Sequence, residues 1–288
     1  MENSREIALN SYSMLMQMVI NVIDAIAGKP IPADDEALNN AQVLGIKFLR
    51  HAVVVRSLYD GSTLDHEGPT PIQFIDFSSI MVVTRAALET FLVWHYLFGK
   101  SDSSEARFRF LTWNLGGLMD RQKHKALGEH GSNVQAQEKL EAERLQQELK
   151  THPHFAKYKQ KQQTKLLSGD WKIVVGSGGL AASAGMHRSY FENIYNLLCG
   201  HSHASYISVL QVRDAQPRAH QEALAFMCIG VMNTLMAHFA MQYPVRFPDV
   251  QAVIDADEEG KLAIERWSFT VEDWNRIYGE AQPRDPQS

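Results

Sequence analysis

Ile80–Phe98 reads IMVVTRAALETFLVWHYLF. Apolar side chains fill nearly all of it, with two opposite charges, Arg85 and Glu89, placed four positions apart. Residues at that spacing lie on one face of an α-helix. The stretch therefore predicts a core helix that carries an ion pair on one side. Extended back to Ile72, it spans about 40 Å at the α-helical rise per residue. The Arg-then-Glu order is the weaker orientation for an isolated helix pair, and at a surface such a pair contributes only a few tenths of a kcal/mol. Met81, Leu88 and Leu92 flank the same face, so the pair is expected to be buried. A buried pair needs further hydrogen-bond partners.

Working outward, apolar residues recur at helical spacing over 5–27, and Gly28-Lys29-Pro30 stops that helix. A second helix is expected over 33–59, capped by Asp34 or Asp35, with Leu38, Val43, Leu44, Phe48, Leu49 and Val53 as its apolar set. Asp60–Pro71 reads as a loop from its Gly, Pro and Asp content. Further helices are expected over 104–127, although Gly116-Gly117 could break that one, and over 186–199, where Gly200 is a natural stop. A last long helix covers 219–243, ended by Pro244 and Pro248. Residues 133–167 are strong helix formers with only a thin Leu145–Leu149 stripe, and read as a solvated polar arm. The aromatic tail over 245–288 reads as an appendage docked on a bundle of 1–244, with the last residues, AQPRDPQS, frayed. No segment alternates like a strand with hairpin turns, so the class is all-α: a multi-helix bundle with a polar arm and a small C-terminal appendage.

The 288 residues are 45% hydrophobic and 21% charged, which is a globular composition. The net charge of −5 and a pI near 6.2 give the whole chain no electrostatic footprint for nucleic acid. The two cysteines, Cys199 and Cys228, do not form a disulfide framework. The first residues show no signal-peptide pattern, so the expected location is the cytoplasm. Ala223–Met241 is long and apolar enough to span a bilayer, but helices buried in large bundles look the same, and a core helix is favoured.

The partners expected for Arg85 and Glu89 lie more than a hundred residues downstream. Tyr195 shares a helix face with Arg188, Phe191 and Cys199, and the corner Gly200-His201-Ser202-His203 ends that helix, where histidine cations are favoured. Arg85, Glu89, Tyr195, Ser202 and His203 are the candidate ligand-binding residues, for a small anionic or polar ligand. The same groups could instead pin two helices together as a closed network. An enzymatic alternative makes His201 or His203 the acid or base, with Glu89 orienting it and Arg85 holding an anion.

The segments VTRAALET at 83–90, SGDW at 168–171 and YNLLCGHSHAS at 195–205 resemble a widespread, mostly bacterial helical family known only as a domain of unknown function. Its members share an R-x-x-x-E helix, a Trp-containing loop and a downstream Tyr followed by a Ser-x-His corner. The likeness covers roughly residues 40–240 and implies an all-helical bundle in which Arg85, Glu89, Tyr195 and His203 act together. It implies no activity, substrate or cofactor.

Other chemistries find less support. Cys199-x-His201-x-His203 has ligand residue types, but a spacing of two does not put them on one helix face, so no metal site is assigned. Gly-Ser-Gly-Gly at 176–179 lacks the spacing of a phosphate loop, and no cofactor is expected. Arg213 and His220 match the R-x6-H pattern of small helical ribonucleases, a pattern that fifteen arginines and twelve histidines generate readily by chance. Lys157–Lys165 forms a local basic patch. The 133–167 arm is the expected surface for a protein partner or a second copy.

Overall fold

The computed structural model describes residues 2–32, 35–68, 70–99 and 103–278. The chain is all-α. Its helices are α1 (Glu2–Asp24), α2 (Glu36–Asp60), α3 (Phe77–Phe98), α4 (Ser103–Gln122), α5 (Gly128–Thr151), α6 (Gln160–Leu167), α7 (Gly176–Ser183), α8 (Arg188–Ser202), α9 (Tyr206–Asp214), α10 (Arg218–Arg246), α11 (Gln251–Ala256), α12 (Glu258–Trp267) and α13 (Val271–Tyr278). Between α2 and α3 lies a two-stranded antiparallel hairpin, β1 (Ser62–Leu64) and β2 (Ile72–Phe74), in the register Ser62↔Phe74 and Leu64↔Ile72. The sequence reads 60–71 as loop and starts the third helix at Ile72, because three-residue strands carry no usable alternation; Ile72–Phe74 is strand instead, and α3 begins at Phe77. The reading of frayed final residues concerns 281–288, outside the described residues.

The chain divides into two compact units, Met1–His95 with Ala181–Ser288, and Tyr96–Leu180. In the first, α10 is the enclosed element. Val231 to Ala240 are all buried, and ten consecutive helical residues cover every face of a helix. A helix apolar on all sides must be wrapped. Here α1, α2 and α12 pack against it. α3 adds Trp94, whose ring lies 5.1 Å from Phe239 and 5.5 Å from Tyr243. α2 approaches through its small residues. Its buried set is Ala41, Gly45, Phe48, Ala52, Val55 and Tyr59, while the expected Val43 and Val53 are exposed. A Cβ on Gly45 would sit 3.3 Å from the Phe239 ring, so glycine there permits the close crossing. Three buried donors are spent on backbone: Tyr12 OH donates to Ala52 O at 2.7 Å, Trp94 Nε1 to Ala41 O at 3.0 Å and Asn233 Nδ2 to Ala8 O at 2.8 Å.

One local reading changes here. α10 continues through Pro244 to Arg246. Proline in a last turn loses the bond its missing N–H would make and crowds the carbonyl four residues back, but Phe247 N still donates to Tyr243 O at 3.0 Å. Arg246 then pairs with Asp35 at 2.6 Å, and Asp35 itself caps α2 by accepting from Leu38 N at 2.9 Å. Asp34, the other candidate cap, lies outside the described residues. α3 and α10 are long and apolar enough to cross a membrane, with 56% and 72% of their most apolar windows buried inside the fold.

In the second unit, α4 and α5 form an antiparallel pair, tied by Arg107–Glu148 at 2.8 Å and Arg121–Glu138 at 3.0 Å. α4 runs unbroken through Gly116-Gly117. A Cβ on Gly116 would meet the Trp171 ring at 2.7 Å, so this glycine admits the tryptophan loop instead of breaking the helix. The thin stripe of α5 is not solvated. Ala142, Leu145 and Leu149 are buried with Phe108, Leu111, Leu115, Phe155 and Leu166 in one cluster.

Leu145→Ala is expected to lose about 2–5 kcal/mol, the range for truncating a buried leucine, whereas exposed Glu143→Ala stays within about 0.5 kcal/mol. Urea unfolding followed by circular dichroism separates the two; equal, negligible effects would mean a solvated arm. A second test uses His238, buried in α10, whose N–H bonds the Phe269 carbonyl. Burial lowers its pKa, the Phe269 bond opposes that, and His95 adds to the lowering. A histidine whose folded pKa is depressed costs stability as pH falls through its unfolded value near 6.5, by up to about 1.4 kcal/mol per pH unit. Between pH 7.5 and 5.5 the melting temperature of the wild type should therefore fall more than that of His238→Gln. Parallel curves would contradict this.

Candidate functional site

α3 faces inward with Ile80, Met81, Thr84, Ala87, Leu88 and Phe91, all buried. Helical spacing turns Val82, Arg85 and Glu89 to the opposite side. Val82 is 40% exposed, and the Arg85 and Glu89 side chains are 21% and 42% exposed. The expected burial of the pair is thus corrected: too few groups cover this stripe to seal it. The expected partners do reach it. Tyr195 OH donates to Glu89 Oε1 at 3.1 Å, and Arg85 Nε donates to the same oxygen at 3.2 Å. The Arg85 guanidinium lies over the Tyr195 ring, 5.5 Å from its centroid, a cation–π placement. Arg85 Nη1 and His203 Nε2 are 3.4 Å apart. With arginine as donor, the neutral ring keeps its proton on Nδ1. Glu89 Oε2 has no protein donor among the described residues.

Electrostatics follow this arrangement. Burial works to lower the Arg85 pKa, but the Tyr195 hydroxyl and the Glu89 carboxylate more than offset it, and it is raised. Burial raises the Tyr195 pKa; the Arg85 bond opposes the change and Glu89 adds to it. The tyrosine therefore stays a neutral donor and the arginine a fixed cation.

The corner that presents His203 is built by three residues. His203 closes α8, its N–H bonding Cys199 O at 3.1 Å, and is exposed. Ala204 takes a left-handed conformation with φ 49°, a cost of roughly 1–2 kcal/mol for a residue with a Cβ. Ser205 then caps α9, accepting from Ser208 N at 3.2 Å. Gly200 does not stop α8, which runs on to Ser202. Its lack of a side chain serves the turn instead: a Cβ there would lie 2.9 Å from Ser205 Oγ.

Two further candidates lie elsewhere. His201 is buried, with Nδ1 at 2.9 Å from Ser78 Oγ, Nε2 at 2.9 Å from Gln211 Oε1, and its ring edge-on to Phe77. Both nitrogens are thus occupied within the protein, which fixes α3, α8 and α9 to one another. Nothing in the sequence spacing pointed to Ser78 or Gln211. Ser202 Oγ donates to Leu198 O of its own helix at 3.2 Å. Arg213 pairs with its neighbour Asp214 at 2.6 Å, leaving the R-x6-H pattern without a contact to His220. Among the described residues no group of three His, Cys, Asp or Glu side chains could hold a metal ion. Cys228 is fully buried, and burial pushes its thiol up to about 12, which makes it unreactive.

The fold and cluster define an all-α protein with a solvent-facing Arg–Glu–Tyr–His constellation on two helices. No family model, curated protein or solved structure matches the chain.

The corner yields its own test. Gly200→Ala should push Ser205 Oγ off its capping position and cost about 1 kcal/mol, the usual value of an N-cap. In a Ser205→Ala background, the same substitution should cost distinctly less. A double-mutant cycle by chemical denaturation reads the coupling; strict additivity would mean that Gly200 does not act through the cap.

Proposed function

We propose that this chain is a binding module whose Arg85–Glu89–Tyr195–His203 cluster holds a small anionic or polar ligand. The observation that carries the reading is the openness of an already ordered cluster. Glu89 is 42% exposed, yet its Oε1 is fixed by two helices. Among the described residues, the exposed His203 side chain bonds Arg85 alone. Groups held in place before a ligand arrives lose less entropy on binding. A closed network would seal its charges; this one presents a guanidinium, an imidazole and a free carboxylate oxygen at a surface. The resemblance to the bacterial family of unknown function points to the same four residues.

The arrangement favours binding over acid–base catalysis. Glu89 is bonded by Arg85 and Tyr195, and not by His201 or His203. A histidine oriented by a carboxylate, the usual general-base unit, is not assembled here. We further propose a cytoplasmic location, on the strength of two unpaired cysteines.

Nuclear magnetic resonance of the His203 ring, titrated with acetate and then with phosphate, tests the reading. Saturable shifts in the wild type are expected, weakened roughly tenfold or more in Arg85→Gln, since a charge-assisted hydrogen bond contributes about 1.5–3 kcal/mol. Melting should change little in Arg85→Gln and His203→Ala, because partly exposed pairs contribute about 0–1 kcal/mol. A large melting loss in both, with no saturable shift, would mean that the cluster is a structural pin.

A further inference from the structure

The end of α4, the beginning of α5 and the turn between them line an open pocket of about 320 Å³. Arg121, His124, Lys125 and His130 line it, with Gln135 and Glu138 among the other residues of its wall. The volume lies within the range of small-molecule sites. Its floor is fixed. Gln135 Nε2 donates to His124 O at 2.8 Å and to Arg121 O at 3.3 Å, and Gln122 Nε2 donates back to Gln135 O at 3.0 Å. These bonds satisfy carbonyls that the end of α4 would otherwise leave open, and they lock the two helices together at the pocket.

The charges are unbalanced. Arg121 pairs with Glu138 at 3.0 Å. Lys125 has no carboxylate partner, and the imidazoles of His124 and His130 make no side-chain hydrogen bond, among the described residues. Elsewhere in this unit Arg107 and Arg144 pair with Glu148, Lys123 with Asp120 and Lys165 with Asp170, while exposed lysines such as Lys139 and Lys150 have no carboxylate partner among the described residues; Lys125 differs from these in lining a pocket. Cationic side chains left unmatched around a pocket, in a chain of net charge −5, call for an anion from outside. The first turn of α5 lies beside them and favours the same sign. Its cap position, Leu127, supplies no side-chain acceptor.

We infer that this pocket binds a small phosphate-bearing molecule, with Arg121 and Lys125 as its principal contacts and His124 and His130 as further donors. A phosphate group suits the set better than a carboxylate does. It accepts from several directions at once, taking a fork from arginine and a point charge from lysine. Glu138 is the built-in competitor, since its carboxylate occupies Arg121 until a ligand displaces it. This assignment does not depend on the Arg85 cluster.

Calorimetric titration of the full chain with inorganic phosphate, pyrophosphate and a nucleoside monophosphate tests the assignment and ranks the sources of the phosphate group. Saturable one-site binding of at least one of them is expected, weakening as salt screens the charges. The Arg121→Gln/Lys125→Gln pair should lower affinity roughly tenfold or more, as expected for lost charge-assisted contacts. Glu138→Gln should raise it, which a merely structural role for this ion pair does not produce. All of these positions are at or near the surface, so circular dichroism melting should match the wild type; Lys125→Glu, at an exposed position, serves as a second weakening variant. No saturable binding to any probe would overturn the assignment. So would binding that survives the double substitution, or binding that Glu138→Gln weakens.

Discussion

The constraint on which the first unit depends is the enclosure of α10. Ten consecutive buried residues leave it no face for water. Burying a large apolar side chain contributes about 1.5–3 kcal/mol, so the neighbours of α10 are selected by what they can lay against it. α1 brings Ala8, whose carbonyl accepts from Asn233. α2 brings Gly45 and Phe48, the latter stacked on Phe239 at 4.8 Å. α3 brings Phe91 and Trp94. The Trp94 indole and the Asn233 amide N–H carried inward with these groups find backbone carbonyls, which is the condition for burying them at modest cost.

The placement of the candidate site follows from that enclosure. Once α3 commits Thr84, Ala87, Leu88 and Phe91 to the interior, its 3.6-residue period turns Val82, Arg85 and Glu89 outward. α8 crosses there, and the buried His201 pins it to Ser78 at the start of α3. Tyr195, a turn and a half earlier on α8, then meets Glu89. His203, just past the end of α8, meets Arg85. One interior histidine thus sets the position of the exposed one.

Much of this was legible in the sequence and some was not, for identifiable reasons. The charged pair in Ile80–Phe98 follows from residue type and helical spacing, both local; Tyr195 and the His201–His203 corner are candidates by residue type, and which histidine meets Arg85 is settled by how α8 crosses α3. Their exposure did not follow, because it depends on how much of α3 its neighbours cover. Gly200 and Pro244 carry strong local stop signals, and contacts just beyond them override both: the Ser205 turn at one, and at the other the Phe247 backbone bond with the tertiary Arg246–Asp35 pair. The α5 stripe was too thin to read as core; three small or aliphatic residues suffice only because α4 offers Phe108, Leu111 and Leu115 opposite them. The role of His201 was hidden entirely, since Ser78 and Gln211 come from separate helices.

The central claim is that the Arg85–Glu89–Tyr195–His203 cluster is ordered and yet open to solvent. Carbodiimide footprinting of carboxylates, read by mass spectrometry on the folded protein, addresses it at a single residue. The account predicts that Glu89 is modified under native conditions, through its unbonded Oε2, at a rate within an order of magnitude of that in the unfolded chain. Complete protection of Glu89 until the protein unfolds would show a sealed network and contradict the account.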